Sequence, residues 1–154
     1  TDIYLITFLI AIDFSGFFVT RKRSIILPPS KCLKGIRLNS PIIKLNTEKR
    51  EKLKVLALNT RNILLKIIDV SQGGTSSIAI DLKDILSEPI KIGAAKIILV
   101  HNHPAGSTIP SQPDIQLTQK LYNVAYQLGI EFIDHIIIAK DKYESIFRMA
   151  KIGE

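Results

Sequence analysis

Residues 95–100, AKIILV, form an apolar run of strand length, as expected for a central strand covered on both of its faces. A layered sheet is therefore the starting constraint. Upstream, LKVLAL (53–58) and ILLKIIDV (63–70) flank the turn-prone NTRN and read as a hairpin. A short run from Ile78 to Ile80 ends at Asp81, a good N-cap for a helix over about residues 82–94, with Pro89 expected to kink or split it. From Asp114 to Leu128 the apolar positions Ile115, Leu117, Leu121, Val124, Ala125 and Leu128 recur at helical spacing, and Gly129 supplies the stop. FIDHIIIA (132–139) makes a further strand, while KYESIFRM (142–149) suits a strand or a short helix equally. Strands alternating with helices, plus a hairpin, give the α/β class with a mixed β-sheet flanked by helices.

The 154 residues suit one compact core, which at this size needs neither disulfides nor a structural metal to fold. The stretch LPPSKCLKGIRLNSP lacks periodicity, so residues 1–45 are expected to be an irregular or degenerate N-terminal segment and residues 46–154 the folded domain. The single cysteine, Cys32, rules out an internal disulfide and cysteine-rich zinc sites, and it fits a reducing, cytoplasmic setting. The chain opens on Thr1 instead of methionine, which leaves room for missing N-terminal material. The apolar run IYLITFLIAI (3–12) is too short to span a bilayer, and its basic cluster Arg21, Lys22, Arg23 follows it. Neither a signal peptide nor a membrane partner is expected. The net charge of +7 is N-terminal: residues 1–54 hold eleven Lys or Arg against four acids, whereas the remainder is neutral. A weak nucleic-acid contact through basic residues 21–54 is one expectation from this imbalance, and a solvated linker is the plain alternative.

The chemistry concentrates in VHNHPAGSTIPSQPDIQLT (100–118), which holds two of the three histidines at the exit of the buried strand. Side chains two apart on a strand point the same way, so His101 and His103 would offer two imidazoles to one point. Asp114, at the start of the next helix, can return a carboxylate to that point. Two histidines and a carboxylate leave the fourth position of a zinc ion open to water, as a catalytic site requires, and zinc brings the pKa of such a water to about 7. Ser111 and Asp114 also match a helix capping box with Pro113 in the first turn, a structural reading that can coexist with the metal site. His135, Asp134 and Ser145 read as structural.

His101, His103, Pro104, Ser111 and Asp114 together resemble the His-x-His-Pro and Ser-x-x-Asp signature of the JAMM (MPN+) metalloproteases. HNHPAG, PSQPD and the upstream GAAKIILV look in particular like the JAB domain of RadC-like proteins, over about residues 51–149. The resemblance implies a cytidine-deaminase-like JAB/MPN fold, one zinc ion, and cleavage of a peptide or isopeptide bond in a substrate that the sequence does not name. It also implies a glutamate as general base ahead of an early strand; Glu51 is the best match, Glu48 its nearest rival, and Glu88 a weaker one. Ser111 takes the family role of steadying the oxyanion. Departures from the family are the lack of a helix-hairpin-helix resemblance in residues 1–45 and Leu82-Lys83-Asp84 where a Pro-Arg-Glu is usual. Two other readings stand beside the hydrolase. One is a DNA-associated accessory protein, in keeping with the DNA-repair label of RadC-like proteins, and the other is a catalytically inactive, truncated family member.

Overall fold

The computed structural model describes Leu45 and residues 48–70, 80–140 and 142–153. The irregular segment expected over residues 1–45 lies outside them apart from Leu45, as does the run at 78–80 apart from Ile80.

Strands β1 (Leu53–Leu58) and β2 (Leu64–Val70) form the expected antiparallel hairpin. Asn59 fixes its turn by accepting hydrogen bonds on Oδ1 from the N–H groups of Arg61 and Ile63. Asn62 completes it in the left-handed conformation, at φ 62°, which asparagine tolerates well. Strand β3 (Lys96–Asn102) pairs antiparallel with β1 and parallel with β4 (Glu131–Ala139), and β5 (Lys142–Ser145) closes the far edge against β4. The sheet order is β2-β1-β3-β4-β5, so the long apolar run does occupy the centre of a mixed sheet.

Helix α1 (Leu82–Lys91) starts at the Asp81 cap as expected but stops short of residue 94. Pro89 does not split it, because it falls in the last turn. There Gly93, at φ 66°, lets Ala94 N–H reach Pro89 O at 2.9 Å and Gly93 N–H reach Ile90 O at 3.1 Å, the paired bonds of a Schellman ending. Helix α2 (Gln112–Gln127) begins two residues before Asp114 and ends in the same way at Gly129. KYESIFRM divides into β5 and then α3 (Ile146–Ala150), with Ser145 at the junction capping Arg148 N–H.

One core cluster joins Leu53 and Val55 of β1 and Ile97 and Leu99 of β3 to Ile85 of α1 and Leu121 of α2, with Phe147 of α3 packed against it. The alternate residues Leu56, Ile98, Val100 and Ile136 form a second cluster, where Leu45 is, among the described residues, the member from outside the sheet. All three helices described in full thus cover one face. His101 continues the alternation of Ile97 and Leu99 and faces the helices, whereas Asn102 turns the other way. In β4 the register slips between Ile97 and Ile98, leaving Ile133 as an extra residue. This bulge lets both Phe132 and His135 face the helices, which a regular strand would forbid for residues three apart.

Candidate metal centre

His101 is the penultimate residue of β3 and only 5% exposed. His103 has left the strand, yet its N–H still donates to Ile138 O of β4 at 2.9 Å, so the alternation carries on past the last ladder pair. The two rings meet edge to face with centroids 4.7 Å apart. The proline- and glycine-containing turn then leads back to α2. Within it Gly106 has φ 87°, a conformation that calls for glycine, and the end of the Lys140 side chain packs over it.

His103 Nδ1 lies 2.9 Å from Ser107 O. A carbonyl can only accept, so Nδ1 carries a proton, and of the two neutral tautomers this contact selects the one that leaves Nε2 free for a metal. That Nε2 is 3.5 Å from Asp114 Oδ2. His101 Nδ1 lies 3.3 Å from Asp114 Oδ1 and its Nε2 lies 3.9 Å from Glu51 Oε2. These are electrostatic approaches, since neither buried nitrogen of His101 has a hydrogen-bond partner. Unmatched polar atoms of this kind are costly inside a protein. An ion could take one of the two, the nitrogens of a single imidazole pointing apart, while the other stays beside a carboxylate.

The spacing agrees with that view. Donors bound at 2.0–2.1 Å around a tetrahedral zinc are about 3.3–3.4 Å apart, close to the two separations from Asp114. Glu51, His101 and His103 also each bring a ligand atom within 4.8 Å of the others. Glu51, His101 and His103 therefore form a cluster that could hold a small divalent cation, with Asp114 outside that cluster but beside both imidazoles.

Asp114 also holds the capping box. Its Oδ2 accepts from Ser111 N–H at 2.8 Å and from Ser111 Oγ–H at 2.6 Å, while its own N–H donates to Ser111 Oγ at 3.3 Å. Burial pushes this carboxyl up, but the close His101 ring and the Ser111 hydrogen bonds outweigh burial and hold it well below the ordinary aspartate value. It stays ionised throughout the neutral range. Of the three glutamates considered, Glu51 is the one beside the histidines. Glu48 is paired with Lys52 at 2.7 Å, and Glu88, on α1, is paired with Lys66 at 2.7 Å.

His135 is fully buried and its ring stacks at 6.1 Å from that of His101. Thr118 Oγ donates to Asp114 O at 2.6 Å, so its single proton is committed, and it must accept from His135 Nδ1–H at 2.7 Å. The His135 side chain is therefore a structural tie from the sheet to α2. Burial, aided by the neighbouring His101, drives its pKa down to about 3. Next to it, burial raises Asp134 to about 6 against the opposing hydrogen bonds from Ser145 Oγ and His135 N–H.

Two participants escape the sequence reading. Thr118 could be found from its position one turn after Asp114, whereas Asn102 has no local signal, its partners lying 50 residues or more away.

A family model described as RadC-like JAB domain matches residues 38–152. A UPF0758 protein of Clostridium acetobutylicum is 39% identical over 123 residues, covering 75% of this chain and 54% of that protein. A UPF0758 protein of Clostridium botulinum is 45% identical over 98 residues, covering 64% of this chain and 43% of that protein. The chain thus spans about half the length of the curated relatives it matches.

Proposed function

The chain belongs to the RadC-like JAB domain family, and from that premise we propose that it is a zinc-dependent metallopeptidase-type hydrolase acting on a peptide or isopeptide bond. The observation that carries this reading is His101, buried, with both ring nitrogens unpartnered between Asp114 and Glu51. His101, His103 and Asp114 would hold one zinc ion. When bound, zinc supplies Lewis acidity and acidifies the water in its open position.

The protein's own groups do the rest. Asp114, ionised and capped by Ser111, presents a fixed negative charge, and Ser107 O keeps His103 in the coordinating tautomer. Glu51 is exposed to solvent at the mouth of the site, where it can take a proton from the attacking water and return it to the leaving nitrogen. The water oxygen bonds to the carbonyl carbon, the carbon–nitrogen bond breaks, and the amine leaves with the proton that Glu51 carried. Ser111 Oγ–H now points at Asp114 and would turn to the oxyanion as charge develops there. A cytoplasmic setting, consistent with the single Cys32, belongs to the same reading. Among the described residues no helix is long and apolar enough to cross a membrane.

Zinc analysis of the purified protein tests the proposal. The wild type should carry one ion per chain and His103→Ala should lose it. Glu51→Gln should keep the ion while peptide hydrolysis drops by about 100-fold or more. A well-folded wild type that takes up no zinc would refute the metal site.

A further inference from the structure

We infer that Asn102 is the positioning residue for Glu51, holding the main chain on both sides of that glutamate; the inference rests on the hydrolase reading above. Asn102 is only 2% exposed. Its Oδ1 accepts from Lys52 N–H at 2.6 Å, and its Nδ2 donates to Arg50 O at 3.1 Å and reaches Glu48 O at 3.5 Å. Its own N–H donates to Lys52 O at 3.2 Å. One side chain thus grips Arg50 and Lys52, the two neighbours of Glu51. Residues 48–52 are neither helix nor strand, so no ladder of their own sets their course.

The residue type follows from the task. The strap offers one N–H and two carbonyls, and a short planar amide can answer both kinds of group at once. Aspartate would face the carbonyls with charge and no donor, and leucine would leave all three groups unmatched. The location follows from the strand. His101 and Asn102 are adjacent on β3 and point to opposite faces, so one residue faces the metal position while the next registers the strap carrying the base. The position of Glu51 relative to His101 is therefore set within a single residue step.

The full chain loaded with cobalt(II) as the probe allows a test. Glu51→Gln should lower the pH midpoint of the visible spectrum by about one unit, since it removes a negative charge that favours the protonated site. Asn102→Ala should lower it by at least half as much, leave zinc affinity within threefold, and strip hydrogen-exchange protection from the Lys52 amide. In the double variant Asn102→Ala should add nothing, which general structural damage would not produce. Asn102→Thr, a β-branched residue too short to span the strap, serves in the same way if the alanine variant does not fold. A midpoint that responds to Glu51→Gln but not to Asn102→Ala, or additive shifts in the double variant, overturns the inference alone. A midpoint indifferent to Glu51→Gln overturns both the base assignment and the inference built on it.

Discussion

Asp114 serves two tasks at once: Oδ2 caps α2 through Ser111 and also lies 3.5 Å from His103 Nε2, while Oδ1 faces His101. Both the capping and the metal reading of Ser-x-x-Asp are thereby accommodated in one carboxylate. Two buried neighbours carry a pH signature. His135, at about 3 when folded against 6.5 unfolded, binds fewer protons folded, so its contribution is present above pH 6.5 and is lost as pH falls toward 3. Asp134, at about 6 against 3.8, binds more protons folded, so its contribution is present below pH 3.8 and is lost as pH rises through 6. Between about pH 4 and 6 the two slopes, each at most about 1.4 kcal/mol per pH unit, oppose one another. Metal-free wild type should show nearly flat stability across that window in urea melts, whereas Asp134→Asn should gain stability steadily as pH rises. A flat profile in the variant would mean that His135 does not titrate this way. The proposed ligands His101, His103 and Asp114 were legible in the sequence because they lie within fourteen positions and bear distinctive side chains. Asn102 was not, because its partners lie 50 residues or more away and only the β1–β3 pairing brings them together.

At the scale of elements, α2 is anchored at both ends by residues that the sequence announces: Ser111 with Pro113 at the start and Gly129 at the stop. Loss of either anchor should destabilise the chain by about 1 kcal/mol, Ser111→Ala through the cap and Gly129→Ala through its φ of 71°. Only Ser111→Ala should also weaken zinc binding, by about tenfold, since it frees the Asp114 carboxylate from its hydrogen-bonded support. Calorimetry beside a zinc competition assay separates the two, and equal zinc affinity in both variants would detach the cap from the site. Other boundaries were harder to read. The end of α1 depends on Gly93 more than on Pro89, and the change from β5 to α3 turns on Ser145, whose hydroxyl caps Arg148 N–H while bonding to Asp134. The β4 bulge has no local sequence signal, because it arises from fitting β4 alongside β3.

For the molecule as a whole, periodicity identified the α/β class and the mixed sheet, yet it could not show that α1, α2 and α3 share one face, since that depends on which strands become neighbours. The N-terminal charge excess predicts its own behaviour. If residues 21–54 bind nucleic acid, log affinity should fall linearly with log salt, and replacing Arg21, Lys22 and Arg23 with alanine should reduce that slope by about 0.9 for each phosphate no longer neutralised. Gel-shift titrations at several salt concentrations measure it, and a salt-independent complex would contradict binding through phosphates. The bond from His103 N–H to Ile138 O has a consequence in time as well as in space. Half of the imidazole pair takes its place from a strand that arrives only after the α2 crossover has been made, and parallel pairings of this kind are among the slower steps of assembly. On the zinc reading, the paired imidazoles are set only once this parallel seam has closed, and metal uptake would report that step.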